Sequence, residues 1–293
     1  WTLAFCFLGC LAGFSPRWRV TLLLCLLVAV EALSVLLFLN GLIMPLAWPV
    51  GASLLSFLGG ITFRFMTTDA ERRRIRGLFS RYVSDQVAAL VVEHPEQAAL
   101  GGRSAEVTLL FSDLNHFTTW SEKTDPAEVV ATLNEYFTAM EEVIFQHGGT
   151  LKQFVGDEIM VMFGAPFPQD DAEERAVRTA LAMQRELERL NQRWSARGIP
   201  RQEAKFGIHR GRVVVGNVGS PRRTEYAAVG DAVNLASRVM GLTKKLNHMV
   251  LITGEVYERV KDVVVVREFE PQTVRGREEP VRVYGLEGLA SGG

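Results

Sequence analysis

Two apolar runs in the second half of the chain each lead into an aspartate. Residues 107–112 are followed by Asp113, and residues 151–155 are followed by Gly156 and Asp157. Short apolar runs that end at turn residues are typical of buried β-strands. Carboxylates at the ends of adjacent strands can hold divalent ions against a polyphosphate, because Mg²⁺ binds through one or two carboxylates together with substrate phosphates. The pair therefore indicates nucleotide chemistry.

Strand-like and helix-like segments alternate from residue 106 onward. A helix is predicted to begin at Asp125, which caps it ahead of Pro126, and to end at the paired glycines 148–149. Its predicted apolar face consists of Val129, Val130, Leu133, Phe137, Met140 and Ile144. Further helices are predicted at residues 171–194, 231–246 and 253–260, and strands at residues 106–112, 150–155, 158–163, 205–208, 212–218, 250–252, 263–269 and 281–286. This order predicts an α+β fold of the ferredoxin-like (βαββαβ) type, with a helix and strands added.

Charge and cysteine usage exclude several classes of function. The chain has 32 Lys and Arg against 33 Asp and Glu, a net charge of −1, so no nucleic-acid partner is predicted. The three cysteines are Cys6, Cys10 and Cys25. The rest of the chain therefore has no disulfide, cysteine zinc site or thiol nucleophile, as a reducing cytoplasm permits.

The first part of the chain has the composition of membrane helices. Residues 1–63 contain only three charged residues, Arg17, Arg19 and Glu31. The runs 20–39 and 42–63 are each long enough to cross a hydrocarbon core of about 30 Å. The chain begins in an apolar run at Trp1, so residues 1–66 are predicted to form about three transmembrane helices, the first truncated. A buried helical hairpin of a soluble core is the alternative.

Arginine placement predicts how these helices are oriented. Arginines lie in the first loop and again just after residue 63, whereas the Asn40–Gly41 turn between the two long runs has no charge. By the positive-inside rule, everything after residue 63 is cytoplasmic. We therefore expect a multi-pass protein of the inner membrane whose missing N-terminal part is an extracytoplasmic sensor.

A helical connector is predicted at residues 67–103, with apolar residues at helical spacing from Ile75 to Val91. Its apolar face suits pairing with a second copy, or packing on its own domain. The catalytic domain is then predicted at residues 104–289.

Four motifs carry a resemblance to a known family. Residues 111–114 (FSDL), 154–160 (FVGDEIM), 207–217 (GIHRGRVVVGN) and 229–238 (VGDAVNLASR) resemble the class III adenylyl and guanylyl cyclase catalytic domain, over residues 106–286. Residues 79–84, with the apolar runs before them, are similar to bacterial receptor cyclases. In those, a CHASE2-type sensor precedes three helices.

The resemblance implies a role for individual residues. Asp113 and Asp157, with the Leu114 carbonyl, would bind two Mg²⁺ or Mn²⁺ ions per site. Asn234 would orient the ribose, and Arg238 would stabilise charge developing on the phosphate. The implied phosphate contacts are Asn115, His116, Phe117, Thr118 and Arg275. In this family one site takes its metal residues and its Asn/Arg pair from different subunits, so a homodimer is implied.

The positions that read the base depart from the family pattern. They are Gln153, where the family has lysine, and Ala227, where adenylyl cyclases have Asp or Thr. Lys152 stands one place away, and alternation along a strand predicts that it points away from the site unless a bulge intervenes. Asn115 and His116 also stand where Arg-Gly is common.

The expected function is therefore a membrane-bound adenylate cyclase that makes cyclic AMP and pyrophosphate from ATP in signal transduction. A guanylate cyclase is one alternative, and a catalytically silent nucleotide-binding dimer is another. A diguanylate-type cyclase shares the strand plan and a Gly-Asp-Glu turn at residues 156–158. It is disfavoured because the paired glycines before that turn are absent.

Overall fold

The computed structural model describes residues 36, 38–40, 101–220 and 223–290. The chain divides into two compact units, Trp1–Leu78 and Phe79–Gly293. In the first unit, Leu36, Phe38 and Leu39 are helical, and the Asn40 side chain donates a hydrogen bond to the Leu36 carbonyl at 2.7 Å. Those four residues apart, the predicted transmembrane helices and connector lie outside the described residues. Within the described part of the chain, no helix is both long and apolar enough to cross a membrane.

The second unit contains one mixed sheet and six helices over its described residues. The strands are β1 (Gly101–Asn115), β2 (Thr150–Val155), β3 (Glu158–Phe163), β4 (Glu203–Ser220), β5 (Arg223–Val229), β6 (Val250–Thr253), β7 (Val264–Glu268) and β8 (Val283–Leu289). The helices are α1 (Phe117–Ser121), α2 (Pro126–Gln146), α3 (Ala172–Ser195), α4 (Asp231–Gly241), α5 (Thr243–Leu246) and α6 (Gly254–Val260).

The strand order is β2-β3-β1-β4-β6-β8-β7, and β5 pairs with β4. Each neighbouring pair in the segment β2-β3-β1-β4 is antiparallel. Helices α2 and α3 connect these strands as the βαββαβ plan requires. The predicted ferredoxin-like core is therefore confirmed. β6 continues the sheet parallel to β4, and β8 and β7 extend it antiparallel.

The two faces of the sheet are covered differently. Leu110 on β1 belongs to the large core under α2 and α3, whereas Leu109 and Phe111 lie in a second core with residues of β5 and α4. Strand side chains alternate between faces, and the Ser112 hydroxyl lies 3.5 Å from the Tyr136 hydroxyl of α2. Asp113 therefore lies on the face opposite α2.

Helix α2 begins as predicted, but its buried face differs. The Asp125 carboxylate accepts a hydrogen bond from the Ala127 backbone N–H at 2.9 Å, and Pro126 is the first helical residue. The buried side chains are Thr132, Tyr136, Met140, Val143 and Ile144. The prediction was wrong for Val130, which is 56% exposed.

Strand β4 was wrongly predicted as two strands, residues 205–208 and 212–218, on either side of Gly211. The structure has one continuous strand in which Gly211 pairs with Val107 of β1. A Cβ on Gly211 would lie 2.6 Å from the Ala232 side chain, so the close approach of α4 accounts for this glycine.

Two further boundaries differ from the prediction. Residues 231–246 form two helices, α4 and α5, which Leu242 separates. β5 was not predicted at all. Its stretch RTEYAAV has few strand-forming residues, and it is a strand because it pairs along the end of β4.

Candidate active site

Asp113 and Asp157 come together where β1 lies beside the turn between β2 and β3. β1 pairs with β3 through Ser112 opposite Ile159, and Asp157 occupies the two-residue turn just before β3. The Asp157 carboxylate accepts a hydrogen bond from the backbone N–H of Leu114 at 3.1 Å. The structure thus places both carboxylates and the Leu114 backbone at one point.

Negative charge dominates the electrostatics of this point. Burial, and then the neighbouring Asp113, raise the pKa of Asp157 to about 6. The pKa of Glu158 is also raised, first by burial and then by Asp113. Carboxylates that resist joint ionisation are stabilised by a cation placed between them.

The donor set fits a hard divalent ion. Among the residues that the structure describes, no group of three or more His, Cys, Asp or Glu side chains is placed to hold a metal ion by itself. Mg²⁺ commonly binds through one or two carboxylates and takes its other ligands from water and substrate phosphates. Asp113 and Asp157 meet that requirement, with the Leu114 carbonyl as a further oxygen.

Lys205 also lies in this site, although the sequence predicted it only as a strand residue. It stands opposite Asp113 in the β1–β4 register, and its Nζ is 2.5 Å from Asp113 Oδ2. The side chains of Lys205 and Asp113 are 26% and 22% exposed. The signal that could have found it is the register of the two strands, which apolar patterning does not specify by itself.

The predicted phosphate-binding segment follows β1 directly. His116 has φ 63 and precedes α1, and both His116 and Thr118 are exposed. Phe117 is buried, with its ring 5.4 Å from that of Trp120, so only its backbone is available to a ligand. Asn115 is half-buried at the end of β1.

Asn234 and Arg238 lie on α4 and form a second group with the loop before β8. Asn234 is exposed, and Arg238 Nη1 donates to the Arg275 carbonyl at 2.5 Å. Arg277 of the same loop pairs with Asp231 at the start of α4, again at 2.5 Å. The structure therefore places Arg238 against the Arg275 backbone, with Asn234 one helical turn earlier on α4.

Gly207 sets how closely α4 approaches the sheet. A Cβ built on Gly207 would lie 2.3 Å from the Met240 backbone nitrogen and 2.6 Å from the Ala236 carbonyl oxygen. Gly207 pairs with Phe111, two residues before Asp113. Helix α4 therefore packs directly on β4, the strand that pairs with the end of β1 near Asp113.

A β-bulge changes the prediction for Lys152. The β2–β3 register shifts between Leu151 and Gln153, so Lys152 is the extra residue. Its Nζ lies 3.3 Å from Gln153 Oε1 and 3.4 Å from Glu225 Oε2. Phe154 stacks on Phe137 of α2 at 4.0 Å, so Gln153 is on the opposite face, the face of Asp113.

This bulge is the stated exception to the prediction that Lys152 points away from the site. Its ammonium group reaches the Gln153 side chain, and its side chain is only 10% exposed. Ala227 lies on β5 opposite Gly216, half-buried and without a polar side-chain atom. Lys152 and Glu225 therefore supply the polar groups near the predicted base-reading positions.

Comparison with known proteins identifies the class to which this fold and site belong. Residues 101–288 match the family described as the adenylate and guanylate cyclase catalytic domain. Because the match covers more than half of the chain, the chain belongs to this family.

Two of the relatives are named adenylate cyclases. Adenylate cyclase 1 of Rhizobium meliloti is 41% identical over 214 residues, covering 72% of this chain and 32% of that protein. The adenylate cyclase of Anabaena cylindrica is 33% identical over 215 residues, covering 70% of this chain and 42% of that protein. The chain thus spans less than half the length of either relative.

Solved structures of both catalytic types resemble the domain. The adenylyl cyclase CyaB from P. aeruginosa has a TM-score of 0.60 at 34% identity, covering 64% of this chain and 96% of that one. The guanylyl cyclase Cya2 has a TM-score of 0.60 at 38% identity, covering 66% of this chain and 97% of that one. Base preference does not follow from overall likeness.

Proposed function

We propose that this chain is an adenylate cyclase that converts ATP to cyclic AMP and pyrophosphate in signal transduction. The observation that carries the proposal is the convergence of Asp113, Asp157 and the Leu114 backbone at one point of the sheet. The names of the Rhizobium and Anabaena relatives support ATP as the substrate.

The reaction needs positioning and charge stabilisation rather than a protein nucleophile. The ribose 3′-oxygen attacks the α-phosphorus, and the bond from that phosphorus to pyrophosphate breaks. Two Mg²⁺ or Mn²⁺ ions, when bound, would activate the hydroxyl and neutralise phosphate charge. Asp113 and Asp157 would hold these ions, and the backbone of residues 115–118 and the Arg275 side chain bind the phosphates.

Asn234 and Arg238 act on the sugar and on the reacting phosphate. The amide of Asn234 orients the ribose, and the guanidinium of Arg238 stabilises the charge that develops on the α-phosphate. Arg238 already has a fixed partner in the Arg275 carbonyl. This contact keeps the Arg238 guanidinium beside the loop that carries Arg275 before a nucleotide binds.

The proposed active form is a homodimer in which each site combines the metal pair of one copy with Asn234 and Arg238 of the other. An uncovered apolar strip on the β4–β5 hairpin supports pairing of two copies. Val214, Val218 and Val229 are 46%, 45% and 53% exposed there. Large exposed apolar side chains close together are typical of interaction surfaces.

The purine is read, on this proposal, by Gln153 and by Lys152 beside it. The bulge gives the site one ammonium donor and one amide, so it can accept and donate hydrogen bonds. Ala227 adds only its backbone groups. Because a guanylyl cyclase is also 38% identical, guanylate cyclase activity is the second candidate.

The test is to purify the full 293-residue chain and supply ATP or GTP with Mn²⁺, with the Asp113→Asn variant as the control. We expect cyclic AMP as the main product and none from the variant. Product mainly from GTP would replace the adenylate assignment. Nucleotide binding without turnover would favour a silent nucleotide-binding dimer.

We also propose that the chain belongs to a multi-pass receptor of the inner membrane, with its catalytic domain in the cytoplasm and a CHASE2-type sensor preceding it. The apolar runs 20–39 and 42–63 support this. The full chain should sediment with membranes and require detergent for release. Recovery in the supernatant after carbonate washing would contradict it.

A further inference from the structure

Lys205 has a place in the metal site that the predicted roles do not explain. It lies directly opposite Asp113 on the adjacent antiparallel strand, so the two side chains share one face of the sheet. Lys205 Nζ touches Oδ2 of Asp113 at 2.5 Å. Both side chains are about one-quarter exposed, so the pair is only partly screened by solvent.

The carboxylates around Lys205 outnumber it. Burial, and after it Asp113, raises the pKa of Asp157 and of Glu158, whereas Lys205 lowers the pKa of Glu158. Three carboxylates and one ammonium group therefore share this corner of the sheet. Without a bound metal ion, Lys205 is the positive charge that offsets part of their repulsion.

We propose that Lys205 is a built-in counter-ion of the metal site, which occupies Asp113 in the metal-free protein and is displaced when a divalent cation binds. This inference rests on the proposed metal-binding role of Asp113. The ammonium group of lysine is a point charge on a flexible four-carbon stem, so it can leave Oδ2 without moving the strand.

The geometry of the contact sets the ammonium group in competition with a metal ion. An ion that binds the side of Asp113 Oδ2 facing Nζ would occupy the space that Nζ now fills. Lys205 therefore lowers the apparent metal affinity while it stabilises the metal-free fold. It is a positioning residue that sets how much metal the site requires.

The test measures Mn²⁺ binding to the full chain without nucleotide, by the electron paramagnetic resonance signal of free Mn²⁺. Lys205→Met should bind Mn²⁺ about ten-fold more tightly, a change of about 1.4 kcal/mol. Lys205→Arg keeps the charge and should bind Mn²⁺ no more tightly than the natural protein does. Lys261→Met removes another lysine, exposed and 3.6 Å from Glu258, and should have no effect.

Thermal unfolding is the second measurement, and it shows whether the variant is folded. The metal-free Lys205→Met protein should melt at a lower temperature, and Mn²⁺ should raise its melting temperature more than it raises that of the natural protein. If Lys205→Met does not fold, Lys205→Gln serves in the same measurements. Unchanged or weaker Mn²⁺ binding by a folded variant would overturn the inference.

The Asp113→Asn variant separates this inference from the proposed function. Loss of Mn²⁺ binding in Asp113→Asn, with Lys205→Met unchanged, refutes only the counter-ion role. Retention of Mn²⁺ binding in Asp113→Asn refutes the metal site itself.

Discussion

The Asp157 carboxylate accepts a hydrogen bond from the backbone N–H of Leu114, and this contact ties the β2–β3 turn to the end of β1. Two segments 43 residues apart in the chain are thereby held as one site. An ionised carboxylate has about four acceptor sites, so this contact does not by itself prevent the carboxylate from binding a ligand.

Asp157→Asn separates the structural part of this contact from its charge. The amide oxygen can still accept from Leu114, so the variant should fold, while cyclase activity should fall by more than about 100-fold. Mn²⁺ should raise the melting temperature of the natural protein and not that of the variant. Asp262→Asn, at an exposed position, is the control. A variant that keeps the Mn²⁺-dependent rise would contradict the role of Asp157.

Sharing of sites between two copies predicts complementation. Asp157→Asn and Arg238→Ala should each be inactive alone, because each disables both sites of its dimer. Random mixing makes half of the dimers mixed, each with one complete site, so activity should return to about a quarter of the natural level. Two affinity tags isolate the mixed dimer for assay. A purified mixed dimer without activity would show that each site is built within one copy.

Gly207→Ala should disturb the active site through α4. The added Cβ meets backbone atoms at Met240 and Ala236, which cannot rotate away, so the loss of stability should be about 1–3 kcal/mol. Gly241→Ala is the matched control, because nothing lies within 4 Å of its Cβ position. Urea unfolding measures both. Equal stability of the two variants would argue against close packing of α4 on β4.

Lys152→Met should change substrate choice more than it changes turnover. Removing the ammonium beside Gln153 should alter the ratio of kcat/KM for ATP to that for GTP by about ten-fold or more, since a purine hydrogen bond is lost. Lys244→Met, exposed on α5, is the control. If kcat falls equally for both nucleotides, Lys152 supports the fold through Glu225 and does not read the base.

Glu135 gives a pH dependence that is independent of the active site. Its carboxylate accepts from the Trp194 indole N–H at 2.8 Å and from Arg197 at 2.6 Å, and these contacts, Trp194 first, lower its pKa. A lowered carboxyl pKa contributes stability above the unfolded-state value, and that contribution is lost as pH falls through the folded-state value.

Glu135→Gln should therefore be less stable than the natural protein at pH 7, by only about 0.5 kcal/mol, because the Glu135 and Arg197 side chains are partly exposed and solvent screens their attraction. The gap should narrow as pH falls below about 4.3, the ordinary glutamate pKa. Urea unfolding at several pH values measures it. A gap that stays constant with pH would show that charge is not involved.

Local pattern was enough for much of the core. β2 and β3 lie where they were predicted, since each is an apolar run bounded by the Gly156–Asp157 turn. α2 also starts at its predicted cap. β5 and the continuity of β4 were missed, because both depend on pairing between strands rather than on composition.

The site residues also differ in whether local sequence pattern or strand pairing identifies them. Asp113 and Asp157 were identifiable because each follows its own apolar run. Lys205 and Glu225 were not, since one is defined by its register with β1 and the other by its contact with Lys152. The direction of Lys152 depended on whether β2 contains a bulge, and the sequence pattern does not show that bulge.

The amino-acid sequence by itself determined the alternation of strands and helices, the carboxylate that ends β1, and the turn that presents the second carboxylate. These depend on apolar period, caps and turn residues, which act over a few neighbouring positions. Only the tertiary structure decided that Lys205 neutralises Asp113 and that Lys152 joins Gln153. Strand register and a one-residue bulge are set by packing across the whole sheet, and no local segment specifies them.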